Sequence, residues 1–390
     1  MTNAFILAPA PVVYFGPGKV SLLPSVIKSF GSKLLLVTGS KSFAQSPYCQ
    51  NLLEQLHHQG TALEPVIVSV EPTPGIVDDA VKNALVFNPT VVLAIGGGSV
   101  MDAGKAIAAM LPLHEPVKNY LEGVGTKSHP GTKLAFIAVP TTAGTGSEAA
   151  KNAVLSETGE NGYKRSLRHN NFVPNVAVID PALALTCPQA TTAASGMDAF
   201  TQLLESYLST AGNAITDALA YEGLQQISGN LLAAYNSGAD INARTGMALA
   251  AYLSGVTLTN AGLGLVHGFA ASIGGYFPIA HGVICSSLMP AVNRVTVRKL
   301  RSQRSNDNAL TKYAIIGKLF AGFAGVENKS PGYYVDFLLG TIEKWTVEMN
   351  IPKLSQGGVT SSDFVNATDN KNNPVALSRE EMLEILEIAG

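Results

Sequence analysis

Cysteine is nearly absent, with three residues in 390 (Cys49, Cys187 and Cys285), odd in number and far apart. That excludes a disulfide framework and a CxxC zinc knuckle, and it suits a reducing cytoplasm. Charge is also scarce. Asp, Glu, Lys and Arg make up 14% of the chain and the formal net charge is −2. With no run of like charges, neither nucleic acid nor an anionic membrane is expected as a partner. Internal repeats and low-complexity tracts are missing. The N-terminal stretch lacks the basic region and long apolar core of a signal peptide. Residues 246–280 are the only membrane candidate by composition. Their frequent Gly, Ser, Thr and Asn, with His267 in the middle, favour helices buried inside protein instead.

Hydrophobic residues are plentiful, at 46%. A chain of this length exceeds one ordinary core and is expected to form two domains. In the first half, apolar runs at Lys33–Thr38, Pro65–Val70, Val91–Ile95 and Lys133–Pro140 alternate with helical patterns near 49–59 and 76–87. This rhythm predicts an open, mostly parallel sheet wound with right-handed crossovers. Strand-like runs become scarce after Val176–Pro181, and from about Pro188 the chain reads as successive helices. The boundary is placed between 181 and 188, giving an α/β domain over 1–184 and an all-α domain over 185–390. The tail from Ser378 reads as a capped, structural helix, and the basic cluster Lys299–Arg304 as a solvated face.

Ligands of open α/β sheets sit beyond the carboxyl ends of the strands, so the loops there hold the interest. One runs Gly96-Gly97-Gly98-Ser99-Val100-Met101-Asp102 into an alanine-rich helix. Glycine lets backbone approach a phosphate, and the helix start offers free N–H groups. The usual GxGxxG fingerprint is not met, because Met101 stands where the last glycine belongs. Two readings follow: pyrophosphate binding, which is favoured, or a turn that needs glycine for sterics alone. A second loop, Thr141-Thr142-Ala143-Gly144-Thr145-Gly146-Ser147-Glu148, leaves the next strand. Together the two resemble facing walls of a nucleotide cleft.

In the second half, a helix started by Ser195-Gly196 would place Asp198, Gln202 and Glu205 on one face, at steps of four and seven. Further on, an almost wholly apolar stretch holds two of the seven histidines, His267 and His281. One unbroken helix would set them about 21 Å apart. Gly274-Gly275 and Pro278 intervene, however, and such residues turn the chain. Folded back, the pair with a carboxylate reads as a metal site. Two core histidines with one hydrogen bond each are the plainer reading.

With these residues assembled, the chain resembles the iron-containing (group III) alcohol dehydrogenases. The motifs Gly-Gly-Gly-Ser-x-x-Asp-x-x-Lys (96–105), Pro-Thr-Thr-Ala-Gly-Thr-Gly-Ser-Glu (140–148), Asp180-Pro181, Gly-Met-Asp-Ala (196–199) and Pro-Ile-Ala-His-Gly (278–282) occur in the family's order. The resemblance implies a dehydroquinate synthase-like fold, with a divalent metal in a cleft between a dinucleotide-binding domain and a helical domain. It assigns Gly97, Gly98, Ser99, Asp102, Thr141, Thr142, Ser147, Asn152 and Lys164 to the cofactor. It assigns Asp198, His267 and His281 to metal and catalysis.

The chain departs from the family at two histidine positions, one a metal ligand and one a candidate proton relay. Gln202 stands where a histidine is usual, four residues after the aspartate, and is expected to coordinate weakly, hold a water or leave the position vacant. Ala271 replaces a second histidine, four residues after the first. One aspartate and two imidazoles still suffice for Fe2+ or Zn2+. After the first strand of the dinucleotide-binding core, NAD-preferring members carry an aspartate, and this chain has Gly39-Ser40-Lys41, which favours NADP over NAD. The expected activity is NAD(P)-linked interconversion of a small alcohol and its carbonyl compound, in a homodimer. The alternatives are a metal-independent reductase resembling maleylacetate reductase, a lyase resembling dehydroquinate synthase, and a non-catalytic nucleotide-binding relative.

Overall fold

A computed structural model describes residues 4–159, 162–303, 307–359 and 363–390. Arg304 of the basic cluster and residues 1–3 lie outside these ranges. Among the described residues, eight strands and twelve α-helices follow in order. The first half comprises β1 (Val12–Phe15), α1 (Leu23–Lys28), β2 (Lys33–Thr38), α2 (Pro47–His58), β3 (Ala62–Ile67), α3 (Pro74–Phe87), β4 (Val91–Gly96), α4 (Gly98–Met110), β5 (Ala135–Pro140), β6 (Asn152–Glu157), β7 (Tyr163–Arg168) and β8 (Val176–Ile179). The second half is helical: α5 (Gln189–Leu208), α6 (Ala214–Asn236), α7 (Ile241–Ala261), α8 (Leu265–Tyr276), α9 (His281–Gln303), α10 (Asp307–Phe323), α11 (Pro331–Glu348) and α12 (Arg379–Ala389).

Six strands form one parallel sheet in the order β1-β8-β5-β4-β2-β3. Its centre is buried on both faces, which is why β4 reads as an unbroken apolar run with every residue buried. The strand expected at Pro65–Val70 is Ala62–Ile67, with Pro65 opposite Leu36. Pro65 thus lies inside the strand and not at its start. It is tolerated inside this strand because β3 is an edge, where one row of N–H groups has no ladder partner. Strands β6 and β7 form a separate antiparallel hairpin.

Helix α5 begins six residues before the expected Ser195. The Ser195 hydroxyl donates to the Thr191 carbonyl inside the helix, a local bond that helices accommodate. At Gly196 a Cβ would lie 2.3 Å from Leu231 Cδ1, so this glycine permits α6 to cross closely. One side of α5 is anchored by Phe200, stacked on Phe320 at 5.1 Å and 5.9 Å from Trp345. Such aromatic packing fixes the helix that carries Asp198.

The basic cluster is not simply solvated. Lys299 pairs with Glu381 of α12 at 2.6 Å and Arg301 with Asp336 of α11 at 2.9 Å. Among the described residues no single helix is long and apolar enough to cross a membrane, and α7 and α8 meet at a 96° bend.

Candidate metal centre and nucleotide cleft

Three helices bring the metal candidates together. Asp198 comes from the middle of α5, His267 from the first turns of α8, and His281 begins α9. The break after Tyr276 folds the second histidine back, so the two imidazole centroids lie 5.4 Å apart. His267 Nε2 and His281 Nε2 are 3.5 and 3.9 Å from Asp198 Oδ1. A fourth donor is present, as Cys285 Sγ lies 3.7 Å from each of the two Nε2 atoms. All four donor atoms fall within 4.8 Å of one another.

Asp198 is 1% exposed, and its Oδ1 has no hydrogen-bond partner. An unpartnered buried carboxylate oxygen is costly unless a cation meets it. The donor set therefore fits a divalent ion. The other oxygen, Oδ2, accepts from Gln202 Nε2 at 3.1 Å, while Gln202 Oε1 accepts from the Ser254 hydroxyl at 2.8 Å. Both ends of the amide are occupied, so Gln202 sits behind Asp198 and outside the donor cluster. The expected ligand position at 202 is not where the cluster's fourth donor lies. Ala271 is half-buried on α8 and brings no donor.

Glu205, two turns after Asp198, accepts from the Val266 N–H and pairs with His267 Nδ1, both at 2.7 Å. The Nδ1 proton is thereby shared with a carboxylate, and Nε2 is left facing the cluster. Burial raises the Asp198 carboxyl, but the neighbouring imidazoles outweigh it and hold the group below its ordinary value. Burial lowers the two histidines. His281 falls to about 4, whereas Cys285, Glu205 and Asp198 carry His267 well above its ordinary value. Burial pushes the Cys285 thiol up to about 11. Without a cation, the cluster thus combines strongly interacting acid and base.

The segments expected to bind nucleotide follow three adjacent strands, β2, β4 and β5, at their carboxyl ends. Gly39 and exposed Ser40 follow β2. Gly97 caps α4 with no side-chain bond, leaving the first N–H groups of that helix for an anion. Partly exposed Gly97, Gly98, Ser99 and Thr142 line this edge, with Thr141 buried beside them. The steric reading of the glycines also holds. A Cβ on Gly98 would lie 2.6 Å from Thr145 Cγ2, and one on Gly96 2.7 Å from Val100.

Asp102 and Ser147 are placed differently. Asp102 accepts from the Ser147 hydroxyl at 2.6 Å and from the Val154 N–H at 3.1 Å. Beside them buried Lys105 donates to oxygens of Ser147, Ala150 and Asn152 at 2.8–2.9 Å. This knot ties α4, the second loop and β6 together, and Asn152 contributes its carbonyl to it. Burial draws the Lys105 ammonium down to about 8, against Asp102 and Glu148. Lys164 on β7 pairs with Glu71 at 2.7 Å and packs on Gly274 of α8, where a Cβ would be 2.8 Å from its Cδ.

The second loop also reaches the metal helices. Gly146 (φ +61°) abuts Gly255 of α7 so closely that a Cβ would lie 2.4 Å from the Gly255 nitrogen. Gly144 O is 3.4 Å from the Ser254 hydroxyl that holds Gln202. The second loop and the Asp198 support therefore share one serine. The placement of Cys285 was missed in the sequence, although its spacing of four from His281 on a helix is the signal that reveals it.

A parallel-sheet half, a helical half and an Asp/His/His/Cys cluster at their junction fit a nucleotide-dependent metalloenzyme. The iron-containing alcohol dehydrogenase family model matches residues 10–181, and the model of that family's C-terminal region matches 192–390. The chain belongs to the iron-containing alcohol dehydrogenase family and is an oxidoreductase acting on alcohols. It is 32% identical to alcohol dehydrogenase 4 of Saccharomyces cerevisiae, over 97% of each chain. It is 30% identical to the NADPH-dependent butanol dehydrogenase of Clostridium saccharobutylicum, over 96% of this chain and 95% of that one. Among solved structures, a 1,3-propanediol oxidoreductase shares 30% identity with a TM-score of 0.84, over all of both chains. The alcohol dehydrogenase of Oenococcus oeni shares 26% with a TM-score of 0.86, over 99% and 100%. The family implies NAD(P) and a divalent metal, and relatives of this chain are named for butanol and 1,3-propanediol.

Proposed function

We propose that the chain interconverts a small primary or secondary alcohol and its carbonyl compound, using NADP in preference to NAD and a divalent cation held by Asp198, His267 and His281. The observation that carries this reading is the convergence of two imidazoles, from α8 and α9, on the buried Asp198 Oδ1 of α5, which has no hydrogen bond of its own. When bound, the cation supplies Lewis acidity toward the substrate oxygen, and the nicotinamide supplies or accepts hydride.

The protein's own groups prepare the site. Glu205 holds a proton on His267 Nδ1, so Nε2 is the nitrogen that would face a bound cation. Gln202 occupies Asp198 Oδ2 and turns Oδ1 inward. Near-complete burial of Asp198, His267 and Cys285 excludes water from one side, while partly exposed His281 leaves the other open. The helix start at Gly97–Ser99 receives phosphate, and Ser40 and Lys41, both exposed, supply a hydroxyl and a positive charge toward a 2′-phosphate, with no carboxylate at 39–41 to repel it.

The free state of all three cysteines suits a reducing cytoplasm. Edge strand β1, with Val12 58% exposed, offers the pairing edge for a homodimer. Purified protein loaded with Zn2+ or Fe2+ and assayed over a panel of alcohols and aldehydes tests the reaction. Absence of hydride transfer with both nucleotides overturns it.

A further inference from the structure

We propose that Cys285 Sγ is the fourth protein ligand of the cation, taking the place of the imidazole that Gln202 lacks. The inference rests on the metal-dependent reading above and adds a thiolate to it. A tetrahedral zinc site with bonds of about 2.0–2.3 Å has donor–donor edges of roughly 3.3–3.6 Å. Four of the six edges are 3.5 and 3.9 Å from Asp198 Oδ1 to the two imidazoles and 3.7 Å from Sγ to each of them, and all six fall within 4.8 Å. These lie close to that geometry before any contraction around an ion.

The placement is also economical in sequence. The expected pattern puts a second donor four residues after Asp198 on α5, whereas here it stands four residues after His281 on α9. Both spacings put two donors on one helical face. Cys285 has no exposure, and its sulfur contacts both of the cluster's ring nitrogens. The independent sign of a cation is Asp198 Oδ1, buried and unpartnered.

Coordination converts the thiol to a thiolate and releases its proton to solvent. With Asp198 and Cys285 both anionic, the two charges of the ion would be balanced within its ligand shell, and a substrate oxygen would enter as a fifth donor. A soft sulfur donor favours Zn(II) over Fe(II).

Cobalt(II) substitution of the full-length protein tests the assignment. The wild type is expected to show visible d–d bands together with a near-ultraviolet sulfur-to-cobalt charge-transfer band. C285S and C285A are expected to lose the charge-transfer band and to bind cobalt at least about 10–100-fold more weakly, the loss typical of even an outer-sphere partner. X-ray absorption of the zinc-loaded wild type, which needs no variant, should show one sulfur at about 2.3 Å. Cobalt bound without the charge-transfer band, or zinc without sulfur, overturns the ligand assignment and leaves metal dependence standing. Failure of the wild type to bind either ion overturns both.

Discussion

Glu205 and His267 are joined by a 2.7 Å contact between carboxylate and Nδ1, and the same carboxylate receives the Val266 N–H that opens α8. One side chain therefore sets both the tautomer of a metal-ligand candidate and the position of its helix. Glu205→Gln keeps the size but offers an amide, which can present N–H to the ring and reverse the tautomer. Zinc affinity is expected to fall about 10–100-fold, with the thermal midpoint of the metal-free protein much less affected. Metal titration beside thermal melts checks this, and unchanged affinity would remove Glu205 from the site.

Cofactor preference is expected to turn on residue 40. Ser40 is exposed at the end of β2, and no acid lies in Gly39-Ser40-Lys41. A carboxylate there would repel a 2′-phosphate and accept from a ribose diol. Ser40→Asp should raise KM for NADP by more than about tenfold, a cost near 1.4 kcal/mol, while KM for NAD stays level or falls. Parallel steady-state kinetics with both nucleotides decide the matter, and equal effects on the two would reject the assignment.

The two nucleotide loops touch at Gly98 and Thr145. In Gly98→Ala the new methyl would sit 2.6 Å from Thr145 Cγ2, so the second loop must move. Weaker cofactor binding is expected, by about tenfold or more, since an overpacked contact costs roughly 1–3 kcal/mol. Adding Thr145→Ser removes that methyl and should recover part of the loss. Isothermal titration with the nucleotide compares the three proteins, and a single variant that binds like wild type would show that the loops are not braced here.

Glu148 is buried at the end of the second loop, and burial raises its carboxyl from 4.5 to about 7, opposed by Lys105. A raised carboxyl contributes stability that is present below the unfolded value and lost as pH climbs through the folded one. The window thus runs from about 4.5 to about 7, and a shift of this size corresponds to roughly 3 kcal/mol. Glu148→Gln does not titrate. Wild type should therefore be the relatively more stable protein at the acid end and lose that advantage by neutral pH. Urea denaturation of both proteins at several pH values measures it, and a constant difference would refute the shifted carboxyl.

Much was legible in the chain itself. Apolar runs bounded by glycine mark buried parallel strands because both faces of such a sheet are covered, and the loops after β4 and β5 stand where the sequence places them. The Gly274-Gly275 and Pro278 break carried enough local information to bring His281 back toward His267. Elsewhere local rules misled. Ser195-Gly196 looks like a helix start, yet its glycine answers to Leu231 on another helix. Pro65 looks like a boundary, yet it occupies an edge that needs no N–H. The basic residues near 299 look solvated, yet they meet acids of α11 and α12.

By itself, then, the sequence determined the order of strands and helices, the glycine-rich turns and the donor-bearing residue types, because these depend on neighbours a few positions away. Only the tertiary structure decided which donors share a centre. It turned Gln202 toward Ser254 and brought Cys285 against His267, since those contacts span 52 and 18 residues of chain and arise from how helices cross.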